Sequence, residues 1–138
     1  MGASPVPRQE VSLMSEETRL ERGLRTRARI FGEEGEERRQ AFAEASPAFA
    51  QFVTESVYGD LYAREGIDDK TRETVILSVL CAQGRDREFG YHAKAALRIG
   101  MTKEEIQEII LICAIYAGAP NAVGATDESL RVFKEFGV

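Results

Sequence analysis

The chain has 138 residues, of which 43% are apolar and 30% charged, enough to form one domain around one core and unlike either disordered or membrane chains. Lysine and arginine total 18 against 23 aspartate and glutamate, an evenly spread net charge of −5 that offers no field for a nucleic-acid backbone. No stretch reaches the length of a membrane span, and one histidine with two distant cysteines makes no metal-ligand cluster.

Residues 1–14 combine prolines, serines and glycine without periodicity and read as an N-terminal arm, leaving 15–138 as the folded domain. They lack the continuous apolar segment of a secretory leader, so a reducing cytoplasm is the expected location. Ser15 to Phe31 is rich in helix formers, and Leu20, Leu24 and Ala28 form a thin stripe on which such a surface helix is expected to pack. Glu33 to Ala45 is a second, shorter helical candidate. Ser46-Pro47 then provides a cap and a first-turn proline for a third helix, in which Phe49, Phe52, Val53, Val57 and Leu61 recur at helical spacing beside Tyr58 and Tyr62. That helix is expected to carry much of the aromatic packing.

Gly66-Ile67-Asp68-Asp69 breaks the pattern and offers another cap, after which Arg72 to Gln83 is nearly all apolar. Its β-branched content also suits a strand, but its unbroken length up to Gly84 favours a helix, and one apolar all round is expected at the centre. Asp86 to Ile99 reads as the next helix, closed by Gly100. Thr102-Lys103-Glu104-Glu105 is a capping box with Met101 and Ile106 as its hydrophobic staple, starting a helix that runs to Tyr116. Gly118-Ala119-Pro120 separates it from a last helix reaching about Phe136. No hairpin signal interrupts the series, so the expected fold is an all-α single-domain bundle of about six to seven helices. Two nearly all-apolar helices exceed what so small a bundle covers, which points to association with another subunit.

Arg85, Glu88 and His92 fall three and four residues apart, placing a cation, a carboxylate and an imidazole on one helical face. Glu88 would then orient the ring and keep it able to donate a proton, and an anion at Arg85 would meet the positive end of the helix dipole. A solvated i, i+4 pair explains the same spacing. Glu73, early in the apolar helix, is a second candidate acid or base, with a first-turn glutamate's structural role as the alternative. Tyr58, Tyr62, Tyr91 and Tyr116 suit either a pocket or the core. Cys81 and Cys113 each sit in an apolar run and read as buried free thiols rather than a disulfide or redox pair.

The segments Thr71-Arg72-Glu73, Gly84-Arg85-Asp86-Arg87-Glu88, His92, Ala95-Ala96-Leu97, Gly100-Met101-Thr102 and Ile115-Tyr116-Ala117-Gly118-Ala119-Pro120, in this order, resemble the γ-carboxymuconolactone decarboxylase family. Arg22 to Gly32, Tyr58-Gly59-Asp60 and Arg64 to Ile67 extend the likeness to roughly residues 18–136. The resemblance implies an alkyl hydroperoxidase D-like helical fold that assembles as a ring-shaped homo-oligomer, most often a hexamer built as a trimer of dimers. Alkyl hydroperoxidase D-like proteins combine a glutamate, a Cys-x-x-Cys and a histidine; in the register of Glu73 and His92 those cysteine positions hold Arg85 and Glu88, so the thiol site is absent. The implied activity is cofactor-free and metal-free decarboxylation of a small lactone bearing two carboxylates, in the aromatic-degradation branch leading to β-ketoadipate. His92, Glu88 and Glu73 would carry the chemistry, and Arg85, Arg72, Tyr58 and Tyr116 would bind the substrate. This chain departs from the family pattern at Tyr58, Glu65, Lys94, Arg98 and Ile99. A relative acting on another lactone or β-keto-type acid, and a non-catalytic oligomeric ligand-binding protein, are the alternatives.

Overall fold

The computed structural model describes residues 16–138, so the arm expected over residues 1–14 lies outside the described residues. Every regular element among the described residues is helical, as expected. They are α1 (Arg19–Ala45), α2 (Pro47–Phe52) running into a π-helical segment (Val53–Leu61), α3 (Asp69–Ala82), α4 (Asp86–Arg98), α5 (Lys103–Tyr116) and α6 (Ala119–Phe136).

The two expected N-terminal helices are the halves of α1. They meet at Gly32, whose φ of 60° and ψ of −149° lie in a region that only glycine enters without strain. The helix starts at Thr18 rather than Ser15: the Thr18 hydroxyl accepts from the Glu21 amide at 3.1 Å, and the Glu21 carboxylate accepts from the Thr18 amide at 2.8 Å. The stripe of Leu20, Leu24 and Ala28 is not the packing face. Gly23, Thr26, Arg27, Ile30 and Phe31 turn inward instead. Close backbone approach decides this, since a Cβ on Gly23 would stand 2.1 Å from the carbonyl oxygen of Thr54 in the π segment. Arg19 ties the same two elements together through Asp60, with Nη2 to Oδ2 at 2.6 Å.

Ser46 and Pro47 begin α2 as the sequence requires, the Ser46 hydroxyl accepting from the Phe49 amide. Beyond Phe52 the bonding changes to i→i+5, which widens each turn and redirects the side chains. Thr54, Tyr58 and Tyr62 therefore point inward, whereas Phe49, Phe52 and Leu61 of the expected stripe stay outside, Phe52 with 61% of its surface exposed. The aromatic packing of this segment belongs to its tyrosines.

Asp68 caps α3, accepting from the Thr71 amide at 2.8 Å. Contrary to expectation, α3 is not central within one chain. Arg72, Glu73, Leu77 and Cys81 are buried, but Val75 and Val79 face solvent because no element among the described residues packs on that side. Likewise α5 buries Ile106, Ile109, Ile110 and Cys113 and leaves Leu111, Ile112 and Ile115 outside. The enclosed helix is α4, with Phe89, Ala93, Ala95 and Ala96 fully buried. It stands between two cores. On one side Leu77, Phe89, Ile106 and Val132 join α3, α4, α5 and α6; on the other Ile30, Phe31, Tyr58, Tyr62, Tyr91 and Ala95 join α1, the π segment and α4. The capping box of Thr102 and Glu105 opens α5 with Met101 and Ile106 both buried. Among the described residues no helix is long and apolar enough to cross a membrane.

Candidate active site

The aromatic core beside α4 contains one fully buried carboxylate, that of Glu73, projecting from the first turns of α3. Burying a carboxylate is costly unless donors surround it. Here two donors do: the Tyr62 hydroxyl donates to Oε1, and the His92 imidazole meets Oε2 through Nδ1 at 2.9 Å. The three side chains come from the π segment, α3 and α4. A carboxylate only accepts, so Nδ1 carries the hydrogen and Nε2 is the ring nitrogen left for a ligand. Phe31 and Tyr91 hold the ring edge-on, with centroids 5.4 and 5.8 Å from that of His92. Burial, and then the charge of Glu73, hold the Tyr62 hydroxyl well above the usual phenol range, so it remains a donor.

His92 and Glu73 are thus brought together, and the partner expected of His92 is corrected. Glu88 makes no hydrogen bond or ion pair among the described residues, and the ring turns across to α3 instead of along α4. A hydrogen bond shielded from water outcompetes a surface neighbour one turn away. Arg85 sits at the N-cap of α4, exposed, about 10 Å along the axis from His92. Arg72, expected to bind substrate, is buried with its donors engaged by Asp69 at 3.0 Å and by the carbonyls of Arg64 and Ile67 at 2.7 and 3.3 Å. It also lies over the Tyr62 ring. A buried guanidinium needs acceptors, and these fix the loop between the π segment and α3. Tyr58 is buried between Phe31 and Tyr62, with ring centroids 5.6 and 5.3 Å away. Tyr116 is 88% exposed at the end of α5. Lys94, a point of departure from the family pattern, is buried and held by Glu34 and Glu135, each at 3.1 Å.

Reading the residues alone misses Tyr62 as the partner of Glu73; its place one turn after Tyr58 was the available signal. An apolar groove of about 440 Å³ runs between α5 and α6 past Leu111, Ala114, Val123 and Leu130, and another of about 390 Å³ lies beside Leu61, Ile67, Arg72 and Val75. Neither is lined by His92. Both cysteines are free and buried, and burial followed by the neighbouring Cys113 pushes the Cys81 thiol up to about 12, which suppresses the nucleophilic thiolate.

A sequence model described as the carboxymuconolactone decarboxylase family matches residues 47–128, a span that holds Tyr62, Glu73, Arg85 and His92. The chain is 33% identical over 126 residues to the 4-carboxymuconolactone decarboxylase of Acinetobacter baylyi, covering 91% of this chain and 94% of that protein. It is 31% identical over 109 residues to the nitrosuccinic acid decarboxylase of Metarhizium robertsii, covering 77% of this chain and 75% of that one.

Proposed function

The chain belongs to the carboxymuconolactone decarboxylase family, and we propose that it is a cofactor-independent carboxy-lyase converting γ-carboxymuconolactone to β-ketoadipate enol-lactone in the breakdown of aromatic compounds. The observation that carries this reading is likeness to a decarboxylase along nearly the whole of both chains.

In the reaction the bond from the ring carbon to its carboxylate breaks and CO₂ leaves. The electron pair moves through the ring alkene into the lactone carbonyl, forming an oxyfuran-like enolate, which then takes up a proton on carbon. The enolate oxygen needs a donor and the carbon needs an acid. His92 suits both tasks in its doubly protonated form, donating from Nε2 while Glu73 holds Nδ1–H and balances the charge. Tyr62 fixes the other carboxylate oxygen of Glu73. Arg85, at the positive end of α4, draws the anionic substrate to this face.

The active form in this proposal is a ring-shaped homo-oligomer, a hexamer built as a trimer of dimers, with pockets near subunit boundaries. The apolar outer faces of α3 and α5, carrying Val75, Val79, Leu111, Ile112 and Ile115, support it. A reducing cytoplasm suits the two free cysteines.

The test is incubation with freshly generated γ-carboxymuconolactone, following CO₂ release and enol-lactone formation beside the His92→Ala variant. Turnover that falls about 10²- to 10⁴-fold in the variant is expected. Folded protein that releases no CO₂ refutes the proposed substrate. The nitrosuccinic acid decarboxylase among the relatives favours a second substrate class, an acid that releases CO₂ while the bonding electron pair passes into an adjacent electron-withdrawing group, to be assayed in parallel.

A further inference from the structure

Arg27, on the inner face of α1, is 2% exposed, yet among the described residues no carboxylate lies within salt-bridging distance of it. A guanidinium has five N–H donors. The contact recorded for this one is a long hydrogen bond from Nη1 to the Thr54 hydroxyl at 3.4 Å, and Nε is buried with no acceptor. Arg38, one helical stretch further along α1, is also without a carboxylate partner among the described residues. The two cations share the Phe42 ring, and each also lies over a tyrosine. Arg27 Cζ lies 4.8 Å from the Tyr58 ring and 5.8 Å from Phe42, and Arg38 Cζ lies 4.4 Å from Tyr91 and 5.4 Å from Phe42. The Tyr91 hydroxyl is buried within reach of Arg27 and has no acceptor for its own hydrogen.

Nearby acids are bonded to other cations, although the charge of Glu36 also reaches Arg27. Glu36 is bonded to Arg39 at 2.8 Å and Glu34 to Lys94 at 3.1 Å. Stacking on aromatic faces offsets part of the desolvation of Arg27, but it leaves the in-plane N–H groups unanswered. Buried cations are otherwise paired. The position matters as well. Tyr91 precedes His92 and packs edge-on against its ring, and Tyr58 packs under Arg27 and against Tyr62, the residue that donates to Glu73. Tyr58 and Tyr62 thus link Arg27 to Glu73 by direct contacts.

We propose that Arg27, Arg38 and the Tyr91 hydroxyl form a carboxylate-binding site beside His92, and that it receives the acid group the substrate retains. The assignment to substrate rests on the decarboxylase reading above. Guanidinium donors and a phenol hydroxyl answer the oxygens of a carboxylate. The retained group is the one they suit, because a cation clamped on the departing carboxylate would stabilise the ground state against loss of CO₂.

The experiment is a calorimetric titration of the full chain with succinate, with uncharged succinamide as control, on the wild type and on Arg27→Met, Arg38→Met and Arg25→Met. Arg25 is exposed and paired with Glu17 away from this site. Saturable succinate binding is expected in the wild type and in Arg25→Met, weakened about 10-fold or more in the other two, with no binding of succinamide. Should Arg27→Met fail to fold, Arg38→Met, at a half-buried position, decides the matter. Succinate bound equally by the wild type and Arg38→Met, or an adventitious anion response only, in which inorganic phosphate and succinate act alike and independently of both arginines, overturns the site. So does the absence of saturable binding by the wild type. On the lactone, Arg38→Met is expected to raise KM about 10-fold or more with kcat held. Turnover with unchanged KM defeats this proposal and leaves decarboxylation standing. Arginine-dependent succinate binding by a protein that releases no CO₂ defeats the decarboxylase reading and leaves the site.

Discussion

Replacing Glu73 with glutamine changes one acceptor oxygen into a donor with almost no change in volume, at a position with no solvent to compensate. The carboxylate accepts from both Tyr62 and His92. The amide can accept from only one of them and must present its NH₂ to the other. Facing His92, it requires a bare Nδ1, and the ring proton moves to Nε2; facing Tyr62, it forces the phenol proton away into an apolar surround. Two hydrogen bonds to a charged group, each worth about 1.5–3 kcal/mol, become one neutral bond worth about 1, so the expected loss is roughly 2–5 kcal/mol before relief of the buried charge offsets part of it. A domain of ordinary stability, about 5–15 kcal/mol, stays folded after such a loss. Because the chain has a single histidine, imidazole nitrogen NMR on tag-free labelled protein reads the ring without assignment. The wild type should show a protonated Nδ1, and Glu73→Gln should show the other tautomer with turnover reduced about 10²- to 10⁴-fold. A bare Nδ1 in the wild type would falsify this account of the site, whereas an unchanged ring in Glu73→Gln means that the amide has turned its NH₂ to Tyr62.

The tyrosines give a pH dependence with a definite sign. Burial first of all holds Tyr58, Tyr62 and Tyr91 above the ordinary phenol range. Each keeps its proton in the folded chain after the unfolded chain has lost it near pH about 10, so their contribution is complete below that value and declines above it. The slope reaches about 1.4 kcal/mol per pH unit for each, roughly 4 for the three, and Tyr62→Phe should reduce it by about a third. Urea midpoints that stay level to about pH 11 contradict this. Gly23→Ala puts a Cβ 2.1 Å from a backbone oxygen and should cost about 1–3 kcal/mol or more in denaturant unfolding; a loss below about 0.5 means that α1 and the π segment part easily. Ile115→Asp, on a side chain 76% exposed, should shift sedimentation to a smaller species, and a monomeric wild type removes the oligomer from the proposal.

The punctuation of this fold was legible because it is local chemistry. Ser46-Pro47, Asp68, Thr102 with Glu105, and Gly118-Ala119-Pro120 start or stop helices through hydrogen bonds and dihedral limits contained in a few neighbouring residues. The inward faces were not. Periodicity identifies an apolar stripe but not what covers it, and Phe49, Phe52, Val75, Val79 and Ile115 are apolar side chains that one chain leaves uncovered. On α1 the packing face was hidden because its defining residue is Gly23, which signals by having no side chain. The π segment was hidden because widening a helix requires a tertiary neighbour, here α1, to hold it. The site divides the same way. Glu88 and His92, four apart, were visible as a pair, whereas Glu73 and His92 are 19 apart and Tyr62 and Glu73 are 11 apart. Family resemblance marked Glu73 and His92 as candidates; only the packing of α3 against α4 pairs them.

Whether the Tyr62–Glu73–His92 trio exists for the fold or for chemistry can be settled by removing it whole. A buried polar group costs desolvation that its partners only repay, so taking away one member strands the others, while replacing all with apolar side chains of similar volume is often neutral or stabilising. The triple variant Tyr62→Phe, Glu73→Met, His92→Phe places apolar groups in a space already bordered by Phe31, Tyr58 and Ile76. It should unfold at a denaturant concentration equal to or above that of the wild type, and above that of Glu73→Gln alone, although it carries more substitutions. Turnover should vanish. A triple variant less stable than the wild type by more than about 2 kcal/mol would make the trio part of the scaffold, since the ordinary cost of breaking a buried network would then persist with no polar group left unpaired. Equal stability with lost turnover means that the fold bears a buried carboxylate it does not need, and the imidazole that carboxylate orients is the reason it is kept.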